Sequence, residues 1–282
     1  MKNFSLSRRE MLGSSAALGL STLFTPSILP AATGTNKRLP GIQLYTVRAS
    51  MAMDVPGTLR AIADIGYREV EFAGYGDHSA QQIRRLLDNL DLKSPSSHMD
   101  ARQLRDNSRP LLDTAAEVGH DYVTIAWLSP EDRQTIDDYK RWANSFNQIG
   151  ELCRKNDLRL AYHNHDFEFM SLGGQVPFDV LLDETDPALV DFELDFFWVR
   201  KAGQDITQVL GKAPDRFTMA HIKDMDAQGD MADVGSGVID FGKILDSKVA
   251  SGLRHLFVEH DQPSDPFKSV AISHLALASL LD

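Results

Sequence analysis

The sequence predicts an α/β protein in which eight parallel strands, each followed by a helix, close into a (β/α)8 barrel. Three observations carry this. Short β-rich runs alternate with longer segments whose apolar residues recur at i, i+3, i+4 and i+7, the period of an amphipathic helix. Eight such runs occur. His163, Asp195, His221 and Glu259 each stand at the end of one, in LRLAYH, VDFELD, RFTMAH and HLFVE, where a parallel barrel brings distant residues together at one face.

The strands are expected, in order, at 41–47 (GIQLYTV), 68–74 (REVEFAG), 92–98 (LKSPSSH), 121–127 (DYVTIAW), 158–165 (LRLAYHNH), 190–198 (VDFELDFFW), 216–224 (RFTMAHIKD) and 255–261 (HLFVEHD). The segments TLRAIADIG, SAQQIRRLLDNL, YKRWANSFNQIGELCRKN and FKSVAISHLALASLL between and after them read as helices. Gly66 and Gly119 follow helical patterns and precede strands, the place of a left-handed helix cap. Asp186-Pro187 ends the helix before the sixth strand. The longest irregular stretch, 225–237, carries three glycines after the seventh strand and is expected to form a loop over the catalytic face, able to act as a lid.

Residues 1–34 read as an export signal rather than as fold. Ser7, Arg8, Arg9, Glu10, Met11 and Leu12 form a twin-arginine pattern, followed by the apolar stretch 11–24, then Pro26, Pro30 and small residues. The stretch is too short and too rich in Ser and Gly for a stable membrane anchor, which needs about 20 apolar residues. The sequence thus implies the twin-arginine export machinery as a partner and a periplasmic or otherwise exported mature chain. Residues 35–282 are expected to be one domain, near the ~250 residues of a single barrel. A net charge of −11 argues against nucleic acid, which needs a basic face. The single cysteine, Cys153, falls in a helical pattern as a small apolar residue. The sequence leaves an oligomer open.

Imidazole and carboxylate suit one divalent ion, Mn2+, Zn2+ or Co2+, with Mg2+ also admissible. Isolated acids on strands are costly to keep charged, so Asp195 and Glu259 need partners that a metal would supply. An ion-pair and hydrogen-bond network without metal is the alternative. Around these four stand Glu71 and His98 at the ends of the second and third strands, and His165 and Glu168 just after His163. On a strand His163 and His165 share a side, so either is a candidate ligand and the other a substrate contact. Lys223 is placed to hold an oxyanion. Trp127, Phe196, Phe197 and Trp198 offer either a sugar-stacking wall or plain core. His78, His120, His255 and His274 read as structural or exposed. No Walker, GxGxxG or Gly-x-Ser-x-Gly motif is present.

From about residue 41 to 261 the chain resembles the sugar phosphate isomerase/epimerase family, the xylose-isomerase-like TIM barrels. The resemblance rests on GIQLYTVR, GYREVEFAG, YHNHDFEF, ELDFFWV, AHIKD, GSGVIDFGKIL and FVEHD in this order. It implies a divalent metal held by a Glu, Asp, His, Glu set, of which Asp195, His221 and Glu259 match. The first position departs from the pattern: His163 stands where many relatives have Glu, as in the YHNH branch. Glu71 or Glu168 is then a candidate for the missing carboxylate. The implied activity is metal-assisted proton abstraction beside a carbonyl of a small sugar or keto-sugar, with Glu259 or His163 as base. Return of the proton gives isomerisation or epimerisation; loss of a β-substituent, as on a 3-keto-glycoside, gives a lyase. A metal-dependent hydrolase and a non-catalytic exported carbohydrate-binding barrel are the alternatives.

Overall fold

The computed structural model describes residues 38–282; the twin-arginine pattern and the expected signal 1–34 lie outside the described residues. The barrel strands are β1 (Pro40–Gln43), β2 (Glu69–Phe72), β3 (Lys93–Met99), β4 (Tyr122–Ile125), β5 (Arg159–His163), β6 (Val190–Asp195), β7 (Phe217–Ile222) and β8 (His255–Val258). Each pairs in parallel with its neighbours, and β1 closes on β8 through Pro40–Leu256, Gly41–Phe257 and Ile42–Val258. The strands are short because the polar mouth and the turns into the helices begin directly at their ends.

Alternation along the strands sorts the barrel interior into layers. Tyr122, Ala161, Met219 and Phe257, from β4, β5, β7 and β8, form an apolar layer separate from the main core between barrel and helices. Two residues further along each of these chain segments stand Thr124, His163, His221 and Glu259. On β6 the same period runs Asp191, Glu193, Asp195, all buried. Asp191 lies toward the strand start and takes both arms of the Arg159 guanidinium at 2.6 and 2.7 Å. The apolar layer therefore forms the floor on which the polar mouth stands.

Local chemistry ends several elements earlier than the apolar runs suggest. β1 stops at Gln43, whose side-chain oxygen accepts from Tyr45 N–H and starts a 3-10 turn over Leu44–Val47. β6 stops at Asp195, which caps the helix Phe196–Lys201, so Phe196–Trp198 is helical and not strand. Phe196 and Phe197 are core residues. β5 ends at His163, so His165 lies beyond the strand and the expected shared orientation of the two histidines does not apply. Gly66 and Gly119 end helices with positive φ, as expected.

The stretch after β7 is not irregular. Asp224–Met225 pairs with Met231–Ala232 as a small antiparallel hairpin. The buried Asp224 carboxylate then accepts from the N–H groups of Gly235, Gly237 and Ile239 at 2.9–3.2 Å. A loop tied by these bonds is a fixed rim rather than the lid the glycines suggested. Cys153 is buried in the helix Ile136–Arg154. No helix among the described residues is long and apolar enough to cross a membrane.

Gly41 is where β1 makes room for the floor. A Cβ there would lie 2.7 Å from Phe257 Cδ1 and 2.8 Å from the Leu256 carbonyl oxygen. Gly41→Ala is expected to cost about 1–3 kcal/mol as overpacking, read as a lower urea midpoint at unchanged slope. An unchanged midpoint would show that the floor has slack.

Candidate metal centre and cavity

His163 Nε2 or Nδ1, Asp195, His221 and Glu259 present ligand atoms that all lie within 4.8 Å of one another, and all four residues are buried. Each side chain is oriented by a second contact. His163 Nδ1–H donates to the Ala126 carbonyl at 3.0 Å, leaving Nε2 to face Asp195 Oδ2 at 3.4 Å. His221 Nε2–H donates to Glu71 Oε2 at 2.8 Å, leaving Nδ1 toward Glu259 Oε2 at 2.9 Å and Asp195 Oδ2 at 3.7 Å. Asp195 Oδ1 is held by Trp198 N–H at 3.0 Å, which turns Oδ2 to the centre.

These features fit a divalent ion. Ligands about 2.1 Å from one ion at tetrahedral or octahedral angles sit about 3.0–3.4 Å apart; the separations of 2.9, 3.4 and 3.7 Å straddle that range and need only small side-chain shifts to meet it. His221 Nδ1 is buried and, although close to Glu259, lacks the alignment of a hydrogen bond. The His221 Nε2 is fixed by an acid and its Nδ1 faces two carboxylates, so the site calls for a cation at that nitrogen, a proton or a metal ion, as at a metal-binding imidazole. His165 is not in the set, so of the two histidines His163 is the one placed as a ligand.

A second cluster shares His221 and lies behind the first. His98 Nε2 is 2.8 Å from Glu193 Oε2 and 3.3 Å from Glu71 Oε2. Glu71 also accepts from Gln43 Nε2 at 2.7 Å and Ser96 Oγ at 2.5 Å. Burial alone would raise the Glu71 pKa, but His98, then His221 and Ser96, outweigh it and bring it to about 2. Burial would likewise lower His221, but the charges of Glu193 and Glu259 hold it well above the ordinary imidazole value. Sequence reasoning missed Glu193, Gln43 and Ser96; the D-x-E-x-D alternation on β6 was the available signal for Glu193.

Lys223 sits against the rim. Its Nζ is 3.0 Å from Asp195 Oδ2, 2.7 Å from Glu259 Oε2 and 2.9 Å from Asp261 Oδ1. Burial would lower its pKa, but Asp195, Glu259 and Asp261 together raise it. The same ammonium keeps Glu259 and Asp195 ionised against the opposing effect of burial.

A cavity of about 530 Å3 opens onto these groups. His98, His163, His165, Lys223, Glu259 and Asp261 line its polar side. Tyr45 and Trp127, both about 43% exposed, stand at its rim with Arg48 over the Tyr45 ring. His165 faces the cavity with its ring parallel to Phe167, and burial, then His163 and Lys223, hold its pKa well below the ordinary value. Trp198 lies behind His165 (ring centroids 5.3 Å apart), and neither it nor Glu71 nor Glu168 lines the cavity. Of the remaining histidines, His120 bonds Tyr75 and the Ser94 carbonyl, His255 bonds Glu69, and His274 packs on Tyr67.

The structure is a parallel α/β barrel whose mouth holds a buried His/Asp/Glu cluster able to take a metal ion. Residues 59–268 match the family model described as xylose isomerase-like TIM barrel, and the chain belongs to that family. An inosose dehydratase from Geobacillus thermodenitrificans is 26% identical over 150 residues, 45% of this chain and 49% of that protein. The chain thus spans about half the length of the curated relatives it matches first. A crystal structure of a sugar phosphate isomerase/epimerase from Parabacteroides distasonis superposes with a TM-score of 0.76 at 24% identity, covering 89% of this chain and 98% of that one. A structure of the IOLI protein with a bound zinc atom gives 0.69 at 14% identity, covering 86% and 98%. At these identities the two structures establish the shared fold.

Glu168 supports the site from below. Its carboxyl accepts from the Tyr162 hydroxyl at 2.5 Å and from His165 N–H at 2.8 Å, fixing the turn that carries His165. Burial raises its pKa to about 7, beyond what those hydrogen bonds restore. The folded state therefore holds a proton that the unfolded chain, at the ordinary 4.5, has released. Stability from this group is full below about pH 4.5 and is lost as pH rises toward about 7. Glu168→Gln keeps a donor and an acceptor and should flatten that part of the profile. Urea midpoints of both proteins between those two pH values check it; parallel profiles would show that Glu168 stays ionised.

Proposed function

We propose that the protein is a metal-dependent enzyme that abstracts a proton beside a carbonyl of an unphosphorylated sugar or keto-sugar, as an isomerase or epimerase. The observation that carries this is the pair of imidazoles, each tied at one nitrogen, with His163 presenting the other to Asp195 and His221 presenting the other to Asp195 and Glu259, beside an open cavity. His163, Asp195, His221 and Glu259 would hold the ion. A divalent ion there supplies Lewis-acid polarisation of a carbonyl oxygen and stabilises the charge that develops on proton loss.

The chain's own groups supply the proton handling and positioning. Glu259 lines the cavity and is kept as a carboxylate, so it is the base, though a low proton affinity makes it dependent on an acidified C–H. Lys223 lines the cavity as a fixed cation able to hold a substrate oxyanion. His98 lines it too, its Nε2 anchored by Glu193, and can deliver a proton. His165 and Trp127 form further contact surface. Glu71, the expected substitute for the missing carboxylate, instead positions His221.

Elimination on a 3-keto-glycoside is the second reading. The dehydratase name of a matched relative favours it, as does a second proton carrier, His98, in the same cavity. Both readings share the first step and differ in whether the proton returns to carbon or a β-substituent leaves.

The test uses purified residues 35–282. About one divalent ion per chain is expected by elemental analysis. It should be lost in Asp195→Ala and His163→Ala and kept in His165→Ala. With 3-keto-glycosides in D2O, NMR should show metal-dependent deuterium uptake or product. No uptake and no product on any such compound would remove the proton-transfer reading.

We also propose that residues 1–34 direct export through the twin-arginine machinery. Replacing Arg8 and Arg9 together by Lys should leave uncleaved protein in the cytoplasm, read by fractionation and intact mass. Export unchanged by that replacement would overturn it.

A further inference from the structure

The geometry points to a competition between Lys223 and the metal for the same two oxygens, so that metal loading releases the lysine from Asp195 and Glu259 to Asp261 and the cavity. The inference rests on the metal reading above. The oxygens Lys223 Nζ touches, Asp195 Oδ2 and Glu259 Oε2, are those that face His221 Nδ1 at the centre. An ammonium within 3.0 Å of both stands where a divalent cation must draw on the same charge. Two cations sharing two anions in a buried site repel strongly.

What distinguishes Lys223 from an ordinary bridging lysine is its third partner. Asp261 Oδ1 is 2.9 Å away, two residues beyond Glu259, and is partly exposed to the cavity that Lys223 also lines. The bond to Asp261 involves neither ligand oxygen. Losing the other two contacts therefore leaves the ammonium paired and wet at one side, with donors freed toward the cavity. The Trp198 ring centroid also lies 5.6 Å from Nζ. In the metal-free protein the lysine holds the two ligand carboxylates in place; in the loaded protein it becomes a positioning group for substrate oxygen. The affinity of the centre is then set by where Lys223 rests.

Opposite signs make this testable by zinc affinity, measured by competition with a chromophoric chelator. Lys223→Met should bind zinc about tenfold or more tightly, because the rival cation is gone. Asp261→Asn should bind it more weakly, because the lysine loses its refuge. In the Lys223→Met background Asp261→Asn should change little, which separates the lysine's resting place from the direct charge effect of Asp261. A purely structural lysine would give weaker binding in Lys223→Met, and that result overturns the inference, as does an equal Asp261→Asn effect in both backgrounds. Should Lys223→Met fail to fold, the wild-type protein decides: zinc should raise acetylation of Lys223, read by peptide mass spectrometry against the other lysines, and an unchanged or slower rate overturns it. Absence of zinc binding in the wild type would remove the metal reading itself, whereas binding with the wrong signs removes only the competition.

Discussion

Four carboxylates, on Glu71, Glu193, Asp195 and Glu259, are buried in the mouth of one barrel. Taking a charge out of water costs several kcal/mol even after relaxation, unless a partner is fixed beside it. This constraint organises the rest of the site. Lys223 supplies one positive charge to the rim pair, and His98 and His221 are pressed toward the protonated form by the acids that surround them. Protons on imidazole are the provisional solution. A divalent ion held by His163 and His221 would offer two charges at one point and remove the need for a proton on each nitrogen, which would link metal affinity to pH.

The placement of these groups follows from strand alternation. An apolar layer of Tyr122, Ala161, Met219 and Phe257 closes the barrel below, and the next inward positions on the same segments carry three of the polar residues of the mouth. A rigid floor matters because the carboxylates sit about 3 Å from their partners, and a shift of one strand by one residue would turn that strand's own acids outward, both Glu193 and Asp195 in the case of β6. Gly41 belongs to the same arrangement: the absence of a side chain on β1 lets Phe257 fill the floor.

The fold and the convergence of the four candidate residues were legible because both depend on periodicity and on residue types at strand ends. All eight strands lie within the expected runs or a residue beside them, and the four proposed ligands do converge. Less legible was anything decided by a side chain bonding its own backbone. Gln43 and Asp195 end their strands through capping bonds, and Asp224 gathers three N–H groups into a rim, and none of these is visible as a hydrophobic pattern. Glu193 was passed over because attention to strand ends hides the residue two places earlier. Glu168, read as a candidate for the missing carboxylate, instead bonds Tyr162 and the His165 N–H, because distance along the chain from His163 does not reveal which way the 3-10 turn Phe167–Phe169 points it.

The cavity is built from two unlike halves. β5 to β8 supply the proposed ligands together with Lys223 and Asp261, whereas the segments after β1 and β4 contribute Tyr45, Arg48 and Trp127 to the rim. The candidate ligands and the exposed aromatic groups are thus mostly carried by different segments on one frame, with His98 of β3 between them. Exposed aromatic groups on short turns can change without disturbing an acid or imidazole fixed by buried hydrogen bonds. The departure at His163 lies on the chemical side of the division. It removes one negative charge from the centre, while the Ala126 carbonyl supplies the orientation that an imidazole there requires. The substitution is thus accommodated by the backbone of the neighbouring strand's end, and the rim is free to vary independently of it.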